Sequence, residues 1–178
     1  MNRSSSLLRA AALAFLAGGL LLSSCSPSLE PLPIRDVSFS DPVDLGDPKL
    51  NQAAADARAS FSEFLAKSTS PGSSGSYFSA KIRVRETNPP ATEDISLNDI
   101  KADAKGGYSG QVENAPSVLK TVSMTDLVHF MPNQIVEWQY VEKEKIVGAQ
   151  VTRERRARMS EADRKAFDAS YDPPFPFE

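Results

Sequence analysis

The sequence predicts an α+β fold: an N-terminal helix, about five to six short antiparallel strands forming a curled sheet or half-open barrel, and a short C-terminal helix. Three observations predict it. Apolar residues between Leu50 and Leu65 recur at spacings of three and four, the period changes to two from Tyr77 onward, and a helix-capping signature stands at Ser160. Helices and strands that are segregated along the chain, rather than alternating, belong to the α+β class.

Each element has a local cause. Asp47-Pro48 opens the first helix, with Asp as the cap and proline at the first helical position, where an N–H is not needed. Leu50, Ala53, Ala54, Ala57, Phe61, Phe64 and Leu65 then form one apolar stripe, and the segment STSPGSSGS over 68–76 ends it. Phe78, Ala80, Ile82 and Val84 alternate with Ser79, Lys81, Arg83 and Arg85, a half-buried strand with a basic, solvated face. Asn88-Pro89-Pro90 breaks it. Ile95, Leu97 and Ile100 mark a second strand, Lys105-Gly106-Gly107 a turn, and Tyr108 to Val112 a third. Asn114-Ala115-Pro116 is another break, and Leu127 to Phe130, Ile135 to Val141 and Ile146 to Val151 complete the strands. Ser160-Glu161-Ala162-Asp163 has the spacing of a capping box and starts the final helix, which carries Ala166 and Phe167.

The first residues speak of location. Met1 to Ser6 is polar with Arg3, Arg9 follows, and Ala10 to Leu22 is uncharged and rich in Leu and Ala. That order is a secretory signal. Thirteen uncharged residues rise only about 20 Å as a helix, short of the ~30 Å hydrocarbon core. Leu22-Ser23-Ser24-Cys25 resembles a bacterial lipobox, which implies cleavage between Ser24 and Cys25 and lipid attachment at Cys25. Several acyl chains on one cysteine supply the stable anchoring that a single chain lacks. Cys25 is the sole cysteine, so no disulfide forms within the chain. By resemblance to lipoproteins of two-membrane bacteria, Ser26 in place of Asp favours the outer membrane, with the domain expected in the periplasm.

The expected layout is a signal peptide over 1–24, an acylated cysteine and Pro/Ser-rich tether over 25–46, one α+β domain over 47–170 and a Pro/Phe tail over 171–178. The tether carries Pro27, Pro31, Pro33 and Pro42 and reads as partly extended. The tail, with Phe175 and Phe177 among prolines, reads equally as a segment that folds back or as a peptide for a partner's groove. A net charge of −3, made more acidic by loss of Arg3 and Arg9, argues against a nucleic-acid binder.

Several phrases occur together: Tyr108 to Pro116, Ile135 to Val141, Ile146 to Gly148, Val151 to Arg153, and Arg158 to Phe167. Their order resembles the YegJ-like family, a bacterial domain of unknown function, over about residues 77–170. The resemblance implies a shared fold and supplies no catalytic residues.

Candidate chemistry is sparse. His129 is the sole histidine, and no cysteine or second histidine joins it as a metal ligand. No catalytic residue, metal or cofactor is assigned. Glu93, Asp94, Asp99 and Glu137 are the acidic residues from which a glycosidase pair would be drawn. Trp138 and Tyr140 read as core residues or as a stacking platform for carbohydrate. Arg153, Arg155, Arg156 and Arg158 lie in a basic stretch over 143–165, which reads as a contact for an anionic partner or as a solvated connection held by local ion pairs. The expected function is that of a lipid-anchored cell-envelope protein, monomeric, acting by binding an envelope protein or anionic polymer. The alternative is an envelope hydrolase acting on peptidoglycan or another polymer.

Overall fold

A computed structural model describes residues 33–170, 176 and 177. The expected signal peptide, its cleavage point, Cys25 and the first part of the tether lie outside the described residues. In chain order the elements are β1 (Ile34–Asp36), α1 (Pro48–Ala59), α2 (Phe61–Thr69), β2 (Ser76–Thr87), β3 (Pro90–Ala102), β4 (Tyr108–Val112), β5 (Leu127–Phe130), a 3-10 turn (Pro132–Gln134), β6 (Ile135–Glu142), β7 (Lys145–Gly148), α3 (Gln150–Ala157) and α4 (Glu161–Ala169).

The strands form one open sheet in the order β1-β5-β4-β3-β2-β6-β7, so of the two expected forms, a curled sheet or a half-open barrel, it is a sheet that does not close. It holds seven strands rather than five or six. Two of them are long, 12 residues in β2 and 13 in β3, because Asn88-Pro89-Pro90 is the turn of a hairpin and not the end of a unit. Every pair is antiparallel except β1 with β5.

The expected α1 cap forms: the Asp47 carboxylate accepts the Lys49 and Leu50 amides at 2.9 and 3.0 Å. The predicted single stripe is divided between two helices at Ser60, whose Oγ and N–H both donate to the Asp56 carbonyl. Leu50 and Ala54 bury against Val43, Val136 and Val151, while Ala57, Phe61 and Phe64 enter the main core. That core is built on one sheet face from Ala80, Ile82, Val84, Ile95, Leu97, Val112, Val128 and Phe130. Burying each of these side chains larger than alanine contributes roughly 1.5–3 kcal/mol, so the alternation seen in the sequence is what holds helices and sheet together.

Two further departures matter for function. The expected tether is docked from Ile34 onward: β1 adds to β5, and Gln134, fully buried, donates its amide to the Val37 and Arg83 carbonyls at 2.9 and 3.1 Å. Asn133 binds the Phe39 and Asp41 carbonyls, and Val43 is buried. The last expected strand stops at Gly148, and Val151 is helical. Gly148 has φ +84°, and a Cβ there would lie 2.5 Å from the Trp138 ring, so the chain turns sharply before α3 begins.

Candidate functional site

Of the four carboxylates considered for hydrolysis, Glu93, Asp94 and Glu137 are held by the fold, and Asp99 is exposed. Glu93, on β3, accepts the amides of Ser117, Val118 and Leu119 at 2.8, 2.9 and 3.3 Å and the Ser117 hydroxyl at 2.8 Å. Burial pushes its carboxyl up, but these bonds together outweigh that and bring it down to about 2. Glu86, on β2, takes the Lys120 and Thr121 amides and the Thr121 hydroxyl, so two strand carboxylates clamp the β4–β5 loop. The clamp holds Leu119 and Val122 in the core. Asp94 pairs with Arg83 at 2.7 Å.

Glu137 is the most buried of the four acids considered, 3% exposed. It accepts the Thr152 amide and hydroxyl at 2.8 and 2.7 Å and the Lys81 ammonium at 2.7 Å. Burial alone would raise its carboxyl; Lys81 and the Thr152 bonds hold it below the usual range. Thr152 lies in the first turn of α3, so Glu137 ties that helix to β6.

His129 Nδ1 lies 3.2 Å from Asp103 Oδ2, both side chains nearly covered. Trp138 belongs to the core: it stacks on Phe64 with ring centroids 5.3 Å apart, and its indole N–H donates to the Ala57 carbonyl at 3.0 Å. Tyr140 packs partly buried beside Trp138 and Phe78.

The four arginines have separate environments. Arg153 donates to the Gly148 and Ile146 carbonyls at 2.6 and 2.7 Å. Arg156 forms two 2.6 Å bonds with Asp168, which hold that carboxyl below its usual range. Arg158 bridges Asp47 and Glu154 and stays protonated more firmly than a free arginine. Arg155 is exposed. Their charge is therefore largely engaged with neighbours along α1, α3 and α4.

A site that sequence reasoning missed opens where β2 and β3 part. Their pairing runs in register from Thr87↔Pro90 to Ala80↔Leu97. Beyond it both strands are irregular, β2 between Ser76 and Ser79 and β3 between Asn98 and Lys101. Tyr77 and Asp99 occupy these irregular stretches with φ of 53° and 48°, a left-handed backbone that costs a non-glycine residue of order 1–3 kcal/mol. Between the strands and α2 lies a cleft of about 420 Å³. Phe78 gives it apolar surface over the buried Phe64 and Ile100, while Asn98, Asp99, Lys101 and Glu113 give it polar surface. Tyr77 stands at it, 68% exposed. The Asn98 amide oxygen is buried without a hydrogen-bond partner, one of three such side-chain atoms among the described residues. No sequence signal marks the cleft, since Tyr77 to Phe78 and Asn98 to Ile100 read as ordinary strand.

The molecule is thus an α+β domain with an open seven-stranded sheet and a cleft at one end of its central hairpin. The chain belongs to a family described as uncharacterized proteins conserved in bacteria, DUF2314, whose model matches residues 47–172. No curated protein and no solved structure matches it. The structure gives physical roles to two residues that carry the resemblance. Asn114 accepts the Ser96 amide at 2.9 Å, and a Cβ at Gly110 would stand 3.2–3.3 Å from Ile100, Asn98 and Leu97.

Proposed function

We propose that this chain is a lipid-anchored bacterial cell-envelope protein of the YegJ-like kind, whose domain works by binding a saccharide in the cleft between β2 and β3. The observation that carries the binding reading is the Asn98 amide oxygen, buried without a partner where both strands depart from regular pairing. Leaving a buried acceptor unsatisfied costs about 1–3 kcal/mol, and two left-handed non-glycine residues add to that cost at the same place. A ligand hydroxyl or amide that donates to Asn98 offsets it. Apolar surface from Tyr77 and Phe78 beside polar Asp99, Lys101 and Glu113 suits a sugar, which presents a C–H face and a rim of hydroxyls.

The anchor rests on the apolar-small-small-Cys string that ends in Cys25, and on the docked leader. With Ile34 already in the sheet, only Ser26 to Pro33 separates the cysteine from the domain. Eight residues span at most about 30 Å. On this reading the domain lies within that reach of the outer membrane, on its periplasmic side, among envelope glycans. Cys25→Ser abolishes labelling by a fatty-acid precursor; retained labelling refutes the anchor.

Binding is tested by calorimetric titration of the full chain in detergent with soluble oligomers of N-acetylglucosamine. Saturable heat is expected from the wild type, with at least about tenfold weaker binding by Asn98→Ala. Absence of binding, or equal binding by a folded Asn98→Ala chain, refutes the saccharide reading.

A further inference from the structure

A second recess lies at the opposite edge of the sheet from β1, and it is independent of the cleft. β7 is the terminal strand on that side, so its outer backbone groups are open to another chain. The protein's own tail uses them. The Ile146 amide donates to the Pro176 carbonyl at 2.8 Å, and Ile146 and Phe177 form a parallel β-bridge. The Phe177 ring lies 5.3 Å from the guanidinium carbons of both Arg153 and Arg156. Around it is a recess of about 370 Å³ bounded by Arg153, Arg156, Ala157 and Arg164.

One polar atom of the recess stays unanswered. Arg164 donates through Nη2 to the Met159 carbonyl at 3.3 Å, but its Nε is buried without a partner. A buried guanidinium N–H calls for an acceptor, and a carboxylate is the strongest one a peptide offers. Phe177 is followed in sequence by Glu178. The chemistry that fits is an extended strand, an aromatic ring between two guanidiniums, and an acidic group beside it.

We propose that the recess between β7, α3 and α4 is a recognition site for an extended peptide of another protein carrying an aromatic residue next to a carboxylate, and that Pro176–Phe177 fills it in cis until such a peptide displaces it. Strand addition supplies affinity through main-chain bonds, and the arginine-lined recess supplies selectivity. Pro176 and Phe177 meet β7 at an isolated bridge and not in a continuous ladder, as suits an exchangeable occupant. The basic stretch over 143–165 then serves a peptide through Arg153, Arg156 and Arg164, rather than an anionic polymer through its exposed charge.

The probe is a fluorescent peptide of residues 172–178, Asp-Pro-Pro-Phe-Pro-Phe-Glu, followed by anisotropy against the full chain. Emptying the site with Phe177→Ala is expected to tighten binding about tenfold over wild type, the gain when a cis occupant fills the site nine-tenths of the time. On that background Arg164→Gln weakens the peptide at least about fivefold with an unchanged melting temperature, and so does Gln for the peptide's final Glu. Replacing the peptide's second Phe by Ala removes binding. Equal affinity of the wild type and Phe177→Ala overturns cis occupancy; absence of binding to Phe177→Ala, or indifference to the peptide's second Phe, overturns the site itself.

Discussion

The two ends of the β2–β3 hairpin are built from similar residues and treated in opposite ways. Near the turn, where pairing is continuous, Glu86 and Glu93 are saturated by loop amides and Arg83 takes Asp94. At the other end the strands part, Tyr77 and Asp99 hold left-handed backbone, and Asn98 keeps an unanswered oxygen beside an open cleft. Polar groups that serve only the fold find partners within it, because an unpaired buried group costs more than a paired one returns. The end left unsatisfied is where a ligand has something to supply.

Three substitutions sharpen that contrast. The largest effect belongs to a saturated carboxylate on the neighbouring strand β6: Glu137→Ala strips Lys81 and Thr152 of a buried partner and is expected to lower unfolding free energy by about 3–5 kcal/mol, measured by denaturant titration. A loss well under 1 kcal/mol would show that α3 is held by packing alone.

Glu93→Gln is expected to cost about 1–3 kcal/mol at neutral pH and to loosen the segment over 117–121, seen as faster amide hydrogen exchange. Its folded carboxyl, at about 2, lies below the ordinary 4.5. The stability it contributes is therefore complete above about pH 4.5 and is lost as pH falls toward 2. Thermal melts across that window should flatten in Glu93→Gln; an unchanged acid slope would move the acid sensitivity elsewhere.

The smallest stability effect is expected in the cleft. Tyr77→Ala should shift unfolding by no more than about 0.5 kcal/mol, since the side chain is 68% exposed, yet weaken N-acetylglucosamine oligomers at least about fivefold in the same calorimetric titration. Lost stability with unchanged binding would reverse the comparison and make Tyr77 a structural residue.

Much of the secondary structure was legible because its causes are local. The Asp47 cap, the alternation of Ala80, Ile82 and Val84, the strands Tyr108–Val112 and Leu127–Phe130, and Ser160 accepting the Asp163 amide all depend on residues a few positions apart. The errors share the opposite property. Val151 looks like strand in sequence and becomes helical where Gly148 turns against Trp138 and Glu137 captures Thr152. Ser60 divides a continuous apolar stripe with neither glycine nor proline to announce it.

The sequence by itself determined the alternation of apolar positions and the caps and turns, for each is written within one short window. Only the tertiary structure decided that residues 34–43 dock on the domain, that Glu86 and Glu93 clamp a loop some thirty residues away in sequence, and that the arginines of α3 engage carboxylates, carbonyls and the Phe177 ring. It also decided where the sheet splits. Those contacts join segments whose separation carries no periodic signature, and closing the long loops between them is favourable only once the core on which they meet has formed.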